Sequence, residues 1–426
     1  MSDTQTRLDE IAELNPTRAL KKGKMTSFVE MASLPTNSRD IENIAQKEFS
    51  GSGSKFKNGD VLFARITPCL ENGKTAKVAG LQHDEIAHGS TEFIVLSARE
   101  PEFDEDYLYY FCRLPEFRNY AKSRMEGTSG RQRVSWQALA EFEFDFPDKE
   151  IRKKAADMLK IFDDKIQLNT QTNQTLEAIA QAIFKSWFVD FDPVRAKAAA
   201  LSEGKSEHEA NLAAMSVICG KDTSELNDTE YKALWQIAEA FPSELVENEQ
   251  FGEVPKGWGV MKIEDVINKI PTGKKYSQKT VEETGKVPVL DQGRSGLIGF
   301  HNDEAGVKAS IENPVIVFAN HTCYMRLISY DFSAIQNVFA FRGNELDIYW
   351  VYLATLGKQE FTEYKGHFPD FLIKEIIVPT TELTTLFGNF IKYQFMNIFE
   401  NDEQNKILAD LRDLLLPKLL SGEIEL

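Results

Sequence analysis

The stretch Glu126-Gly127-Thr128-Ser129-Gly130-Arg131-Gln132-Arg133 holds the side-chain types that meet nucleic acid. Its hydroxyls and backbone N–H groups suit phosphate oxygens, and its Arg and Gln side chains have the geometry to read base edges. Ser129, Arg131, Gln132 and Arg133 are therefore candidate DNA contacts. Earlier in the chain, Lys55-Phe56-Lys57-Asn58-Gly59-Asp60, then Arg65, Lys74 and Lys77, add cations of the same use: Lys55, Lys57, Arg65, Lys74 and Lys77. A later stretch repeats the theme in Thr272-Gly273-Lys274-Lys275-Tyr276, Asp291-Gln292-Gly293-Arg294, Asn320-His321-Thr322 and Tyr364-Lys365-Gly366-His367. Its candidates are Lys274, Lys275, Tyr276, Arg294, Asn320, His321, Lys365 and His367.

Catalytic patterns are missing from the sequence. There is no Gly-rich phosphate loop ending in Lys-Ser/Thr, no His-Glu-x-x-His, no nucleophile elbow and no Asn/Asp-Pro-Pro-Tyr. Glu203-Gly204-Lys205, downstream of Asp190 and Asp192, imitates a metal-nuclease pattern but sits in an acidic connector rather than on a rigid strand. Four scattered cysteines and six histidines form no ligand cluster, so no metal site and no disulfide framework is expected. The expected chain binds and does not catalyse.

The elements that must position these residues form a repeat, A–B–A′–B′. In A (1–148), Asp60–Ala64 and Glu92–Leu96 read as strands, Tyr107–Arg113 as helix, and Phe142–Phe146 as a strand stopped by Pro147. In A′ (251–380) the same order returns: strands Val315–Ala319 and Asn337–Phe341, helix Asp347–Leu353, strand Lys374–Val378 and Pro379. Pro147 and Pro379 are 232 positions apart.

B (149–192) and B′ (381–426) are helical, with apolar residues at alternating steps of three and four. The first seam is Leu159, Phe162, Ile166, Asn169, Asn173, Leu176, Ala180, Ile183 and Trp187. Adding 232 gives Ile391, Gln394, Ile398, Asn401, Asn405, Leu408, Arg412, Leu415 and Leu419, so both asparagines recur. Buried asparagines fix register in such seams at some cost in stability.

The stretch 193–250 is an acidic connector with a helical patch near Tyr231–Phe241. Positions 201–254 hold twelve acidic and three basic residues, over half of the net charge of −17. Such a balance argues against a lone nucleic-acid binder and fits a protein that meets DNA inside an assembly. Basic residues still gather at 113–133: Arg113, Arg118, Lys122, Arg124, Arg131 and Arg133. No apolar run reaches the length of a membrane span and no signal core opens the chain, so a cytoplasmic location is expected.

Asn58-Gly59-Asp60-Val61-Leu62-Phe63-Ala64-Arg65, Gly89-Ser90-Thr91-Glu92-Phe93, the run from Asn173 to Pro193, Val254-Pro255-Lys256-Gly257-Trp258 and Leu415-Leu416-Pro417-Lys418-Leu419 together resemble the specificity subunits of type I restriction-modification systems. The resemblance implies an α/β (α+β) fold, with two target-recognition domains joined by two long helices packed as an antiparallel coiled coil. Each domain would read half of a split double-stranded DNA target, with the helices as a ruler. Two modification subunits would dock on the helices and bring S-adenosylmethionine-dependent adenine N6 methylation. Restriction subunits would add ATP- and Mg-dependent translocation and cleavage; no cofactor would sit on this chain. The second domain has no clear sequence counterpart of Gly89–Glu92 or Gly127–Arg133. The rival expectation is a coiled-coil scaffold that binds other proteins without reading DNA.

Overall fold

The computed structural model describes residues 6–41, 43–128, 130–293, 296–363 and 365–424. The chain divides into unit 1, Met1–Gln171 with Asn401–Leu426, and unit 2, Thr172–Glu400.

Unit 1 carries an antiparallel sheet in the order Ala12–Leu14, Phe93–Ala98, Val61–Ala64, Thr75–Lys77. Val61 and Phe63 enter one apolar cluster, with the helix Pro101–Phe111, while Leu62 enters another, with Val29, Phe56 and Ala76. Side chains alternate across a strand, so burial on both faces requires an unbroken apolar run, which is how Val61–Ala64 reads. A second, mixed sheet runs Ala45–Glu48, Met25–Val29, Ala87–Gly89, Ser54–Phe56, its middle pair parallel.

Unit 2 builds the same sheet from Ile267–Ile270, Val338–Gly343, Val315–Ala319 and Met325–Ile328. Again the central strand divides its residues, Ile316 and Phe318 to one cluster and Val315 and Val317 to the other. Its second sheet also has a parallel pair, Lys275–Tyr276 with Ser333–Ile335. In each unit the closing strand pairs with an opening strand instead of joining these sheets: Glu143–Phe144 with Thr6–Arg7, and Glu375–Val378 with Gly259–Lys262.

The connector is built of helices, extending the patch read near Tyr231–Phe241. Asp192–Ser202, Glu207–Cys219 and Asp228–Ala240 are helices, followed by the hairpin Leu245–Asn248/Gly252–Pro255. Capping boxes at Ser206/Glu209 and Asn227/Glu230 start two of them. Their apolar faces, including Ala214, Met215, Leu234 and Ile237, join the cluster of Trp187 and Phe241.

Two forty-residue helices, Lys149–Phe188 and Thr381–Leu420, have bounds that agree at the offset of 232. They pack antiparallel, and all eighteen seam positions are buried or half-buried. In unit 1, Asn169 donates its amide to Asn405 Oδ1 at 2.9 Å and to Gln404 Oε1 at 2.7 Å. In unit 2, Asn173 donates to the Ile398 carbonyl at 3.3 Å, one turn from Asn401. The asparagines therefore meet across the seam, with 169 against 405, as antiparallel helices require.

Asp347 caps the helix Ile348–Thr355 through Tyr349 N at 2.8 Å and Trp350 N at 3.3 Å. It also presses on the second long helix, where a Cβ on Gly388 would lie 2.1 Å from its carboxylate. Burial raises its carboxyl to about 6, against the opposing cap bonds. The fold therefore favours the neutral acid, and unit 2 should lose stability as pH rises from about 4 through about 6. Asp347→Asn keeps the cap and should flatten that part of the thermal-unfolding pH profile; an unchanged slope would assign it to another group.

Candidate nucleic-acid interface

In unit 1 the candidates gather at the end of the central strand. Arg65 follows Ala64, donates its N–H to the Glu92 carbonyl at 3.0 Å, and accepts Val134 N–H at 3.0 Å. The loop 126–133 closes on itself, with Glu126 and Arg133 exchanging backbone bonds of 3.0 and 2.8 Å. It docks through Thr67 N to Gln132 O at 3.0 Å and Gln132 N to Thr67 Oγ1 at 3.1 Å. Gly127 has φ +123°, a conformation in which L side chains are strained. The two ends of the loop are thus tied at this strand end.

Arg133 forks onto Glu92, with Nε at 2.9 Å from Oε2 and Nη2 at 2.7 Å from Oε1, and these bonds raise its affinity for its proton. Arg131 is exposed with no side-chain partner among the described residues, and Gln132 is half-buried. Ser129 lies outside the described residues.

Beside this loop is a cleft of about 390 Å³, lined by Asn15–Arg18, Gly53–Lys55, Arg65, Thr91, Phe93 and Val95. Lys55 Nζ donates to Arg18 O and Arg18 Nη1 to Lys55 O, each at 3.0 Å. Asp60, almost wholly buried, holds Arg18 at 2.5 Å. Arg18 was not among the candidates read from the sequence. Its signal was present, since Arg18, Lys21, Lys22 and Lys24 form a basic run after Asn15-Pro16-Thr17, and the three lysines are exposed.

Other cations are used elsewhere. Lys57 is exposed, with no side-chain partner among the described residues. Lys74 Nζ donates to Met31 O at 2.8 Å, and Lys77 is held between Glu105 and Asp106 at 2.8 and 2.5 Å. Arg113 donates to Thr36 O, while Arg118 lies over Phe63 and donates to Gly73 O at 2.7 Å; burial lowers its pKa to about 10. The basic gathering at 113–133 is therefore not one surface.

Unit 2 repeats the arrangement. Asn320 follows Ala319 as Arg65 follows Ala64. It donates its N–H to Asn337 O at 2.9 Å and accepts His367 N–H at 2.9 Å, matching the two bonds of Arg65. His367 thereby stands where Val134 stands in unit 1, and Ser333–Ile335 answers Ala87–Gly89. A counterpart of the strand ending at Gly89, which the sequence does not display, thus exists in the fold.

The unit 2 candidates are more self-satisfied. Asn320 is buried and its Oδ1 accepts Phe368 N at 2.8 Å. His321 bonds Lys365 O through Nδ1 at 2.8 Å and Asn337 through Nε2 at 3.2 Å. His367 is fully buried, with Nε2 at 3.0 Å from Glu363 O. Lys365 is exposed but paired with Glu363 and Asp370, which raise its pKa. Lys274 and the Tyr276 hydroxyl both contact Asp303, at 2.8 and 3.0 Å, and Tyr276 stacks on His301. Lys275 bonds Thr272 Oγ1, and burial lowers its pKa. Arg294 lies outside the described residues.

A second cleft of about 390 Å³ lies at the equivalent place, lined by Lys269–Thr272, Lys275, Gln336–Ala340 and Phe368. Each cleft takes a Pro-Thr pair from the loop after the first strand of the main sheet, Pro16-Thr17 or Pro271-Thr272, and the start of that strand's neighbour.

Elsewhere, Glu203 and Lys205 pair with each other at 2.8 Å on an exposed helix end. Among the described residues no helix is long and apolar enough to cross a membrane.

The family model described as the type I restriction modification DNA specificity domain matches residues 2–178. The type I restriction enzyme HindI specificity subunit of Haemophilus influenzae is 33% identical over 429 residues, covering 90% of both chains. The MjaIX specificity subunit of Methanocaldococcus jannaschii is 25% identical, covering 75% of this chain and 69% of its own. The crystal structure of a type I restriction-modification S subunit from M. genitalium is similar over 98% of this chain and 96% of its own, at 14% identity and TM-score 0.43. The identity to the Haemophilus subunit over nine-tenths of both chains shows that this chain belongs to the family of type I restriction enzyme specificity subunits.

Proposed function

We propose that this chain gives a type I restriction-modification complex its DNA sequence specificity, reading a bipartite double-stranded target with one part assigned to each unit. The observation that carries this reading is the repeat itself. Both units put a cleft and a strand-end residue, Arg65 or Asn320, tied by the same two backbone bonds, at the same place on the same sheet. Two similar binding surfaces on one chain suit two half-sites that need not match in sequence.

Two modification subunits and the restriction subunits complete the complex. The chemistry lies with them: S-adenosylmethionine serves adenine N6 methylation, and ATP and Mg serve translocation and cleavage. This chain contributes recognition and assembly, in the cytoplasm, and holds no cofactor.

The test is to co-express the chain with its modification subunit and map N6-methyladenine across the host DNA. One two-part motif with a constant gap, lost when this chain is omitted, is expected. Methylation indifferent to its omission, without co-purification, would favour a protein-binding scaffold. Arg131→Ala should weaken DNA binding by the complex several-fold, on the order of 1 kcal/mol. Relaxed preference at one base pair would mark a base-edge contact, and uniform weakening a phosphate contact.

A further inference from the structure

The unit 1 cleft differs from its unit 2 counterpart in one respect that bears on its ligand. Three cations, Arg18, Lys55 and Arg65, line it. Arg18 is neutralised by Asp60, and the reciprocal bonds between Arg18 and Lys55 fix that wall. Arg65 has no such satisfaction. Its Nε is buried and has no hydrogen-bond partner among the described residues. The nearby carboxylate of Glu92 is occupied by Arg133. A buried charged donor left without an acceptor is costly, and an anionic oxygen relieves that cost. In unit 2 the equivalent strand-end residue is Asn320, whose Oδ1 is already bonded within the fold.

We propose that the unit 1 cleft seats a single phosphodiester of the DNA backbone, bound by Arg65 and Lys55 with Arg18 as the braced wall. The proposal rests on the DNA-reading function above and adds a position and a division of labour: this cleft sets affinity and register, not base choice. Phosphate contacts position a protein on a duplex without carrying sequence information.

The experiment uses the complex with its modification subunits and a duplex containing the mapped target. Binding is measured over a range of salt concentrations for the wild type, Arg65→Gln and Lys55→Gln, each shown to keep wild-type thermal unfolding and subunit composition. Each variant should bind about tenfold more weakly. The loss should be equal on specific and scrambled duplexes, and the slope of log affinity against log salt should fall by about one. In the wild type, a neutral methylphosphonate at one backbone position should cost at least as much as either variant, its effect should be smaller in Arg65→Gln, and it should add nothing in the Arg65→Gln/Lys55→Gln double variant. Unchanged binding, or altered base preference at an unchanged salt slope, would overturn the proposal. Failure of the wild-type complex to prefer its target would instead overturn the function on which it rests.

Discussion

Arg412→Ala should destabilise unit 1 by about 3–5 kcal/mol, the cost of leaving half of a buried ion pair behind. Arg412 and Asp163 are both essentially inaccessible to solvent and lie 2.6 Å apart between the two long helices. Tyr110 donates its hydroxyl to the other Asp163 oxygen at 2.8 Å, so the carboxylate serves two elements at once. Burial and that carboxylate together push the Tyr110 phenol well above its ordinary pKa. Denaturant unfolding and limited proteolysis of the C-terminal helix would register the loss. The charge origin has its own check. Asp163→Leu with Arg412→Met removes both ions, and it should recover most of the stability. Adding Tyr110→Phe should return about a further 1 kcal/mol by deleting the hydroxyl left without its partner. A double variant as unstable as Arg412→Ala would show that packing, not charge, sets the cost.

Trp187→Ala should cost unit 2 about 3–5 kcal/mol, as expected for emptying a packed aromatic site. Trp187 is 1% exposed, with Phe241, Phe387 and Phe390 at ring separations of 5.6, 5.4 and 5.1 Å. It joins the end of the first long helix, the start of the second and the connector helices. Its loss should loosen all three together and reduce co-purification of the modification subunits. Leu415→Ala, at a half-buried seam position, should act in the same direction with a smaller effect, about 2 kcal/mol. Wild-type unfolding together with full co-purification of Trp187→Ala would refute the tie between this core and assembly.

What was legible in the sequence were the properties that repeat at short range. The run Val315–Ala319 is the observed strand, because a strand buried on both faces must be apolar at every position. The 232-residue offset predicts both long helices, because steps of three and four residues place one stripe on one face of a helix. The recurrence of the asparagines is likewise a register signal, although only the fold shows that Asn169 meets Asn405 and not its sequence equivalent Asn401. The helical patch near Tyr231–Phe241 is the observed helix Asp228–Ala240, whereas the packing of the connector's apolar faces on distant aromatics belongs to the fold.

The tertiary structure alone decided which cations have other work. Lys77 and Arg118 look like Arg65 and Arg131 in sequence, yet Glu105, Asp106, Gly73 and Thr75 claim them across 28 to 45 positions of chain. The tertiary structure also brought Arg18 to Lys55 and Arg65, and gave Asn320 and His367 the backbone bond that Arg65 and Val134 make in unit 1. Local composition determines which backbone elements form. Whether a charged side chain is spent inside the fold or left for a ligand depends on partners that only folding brings within a few ångströms.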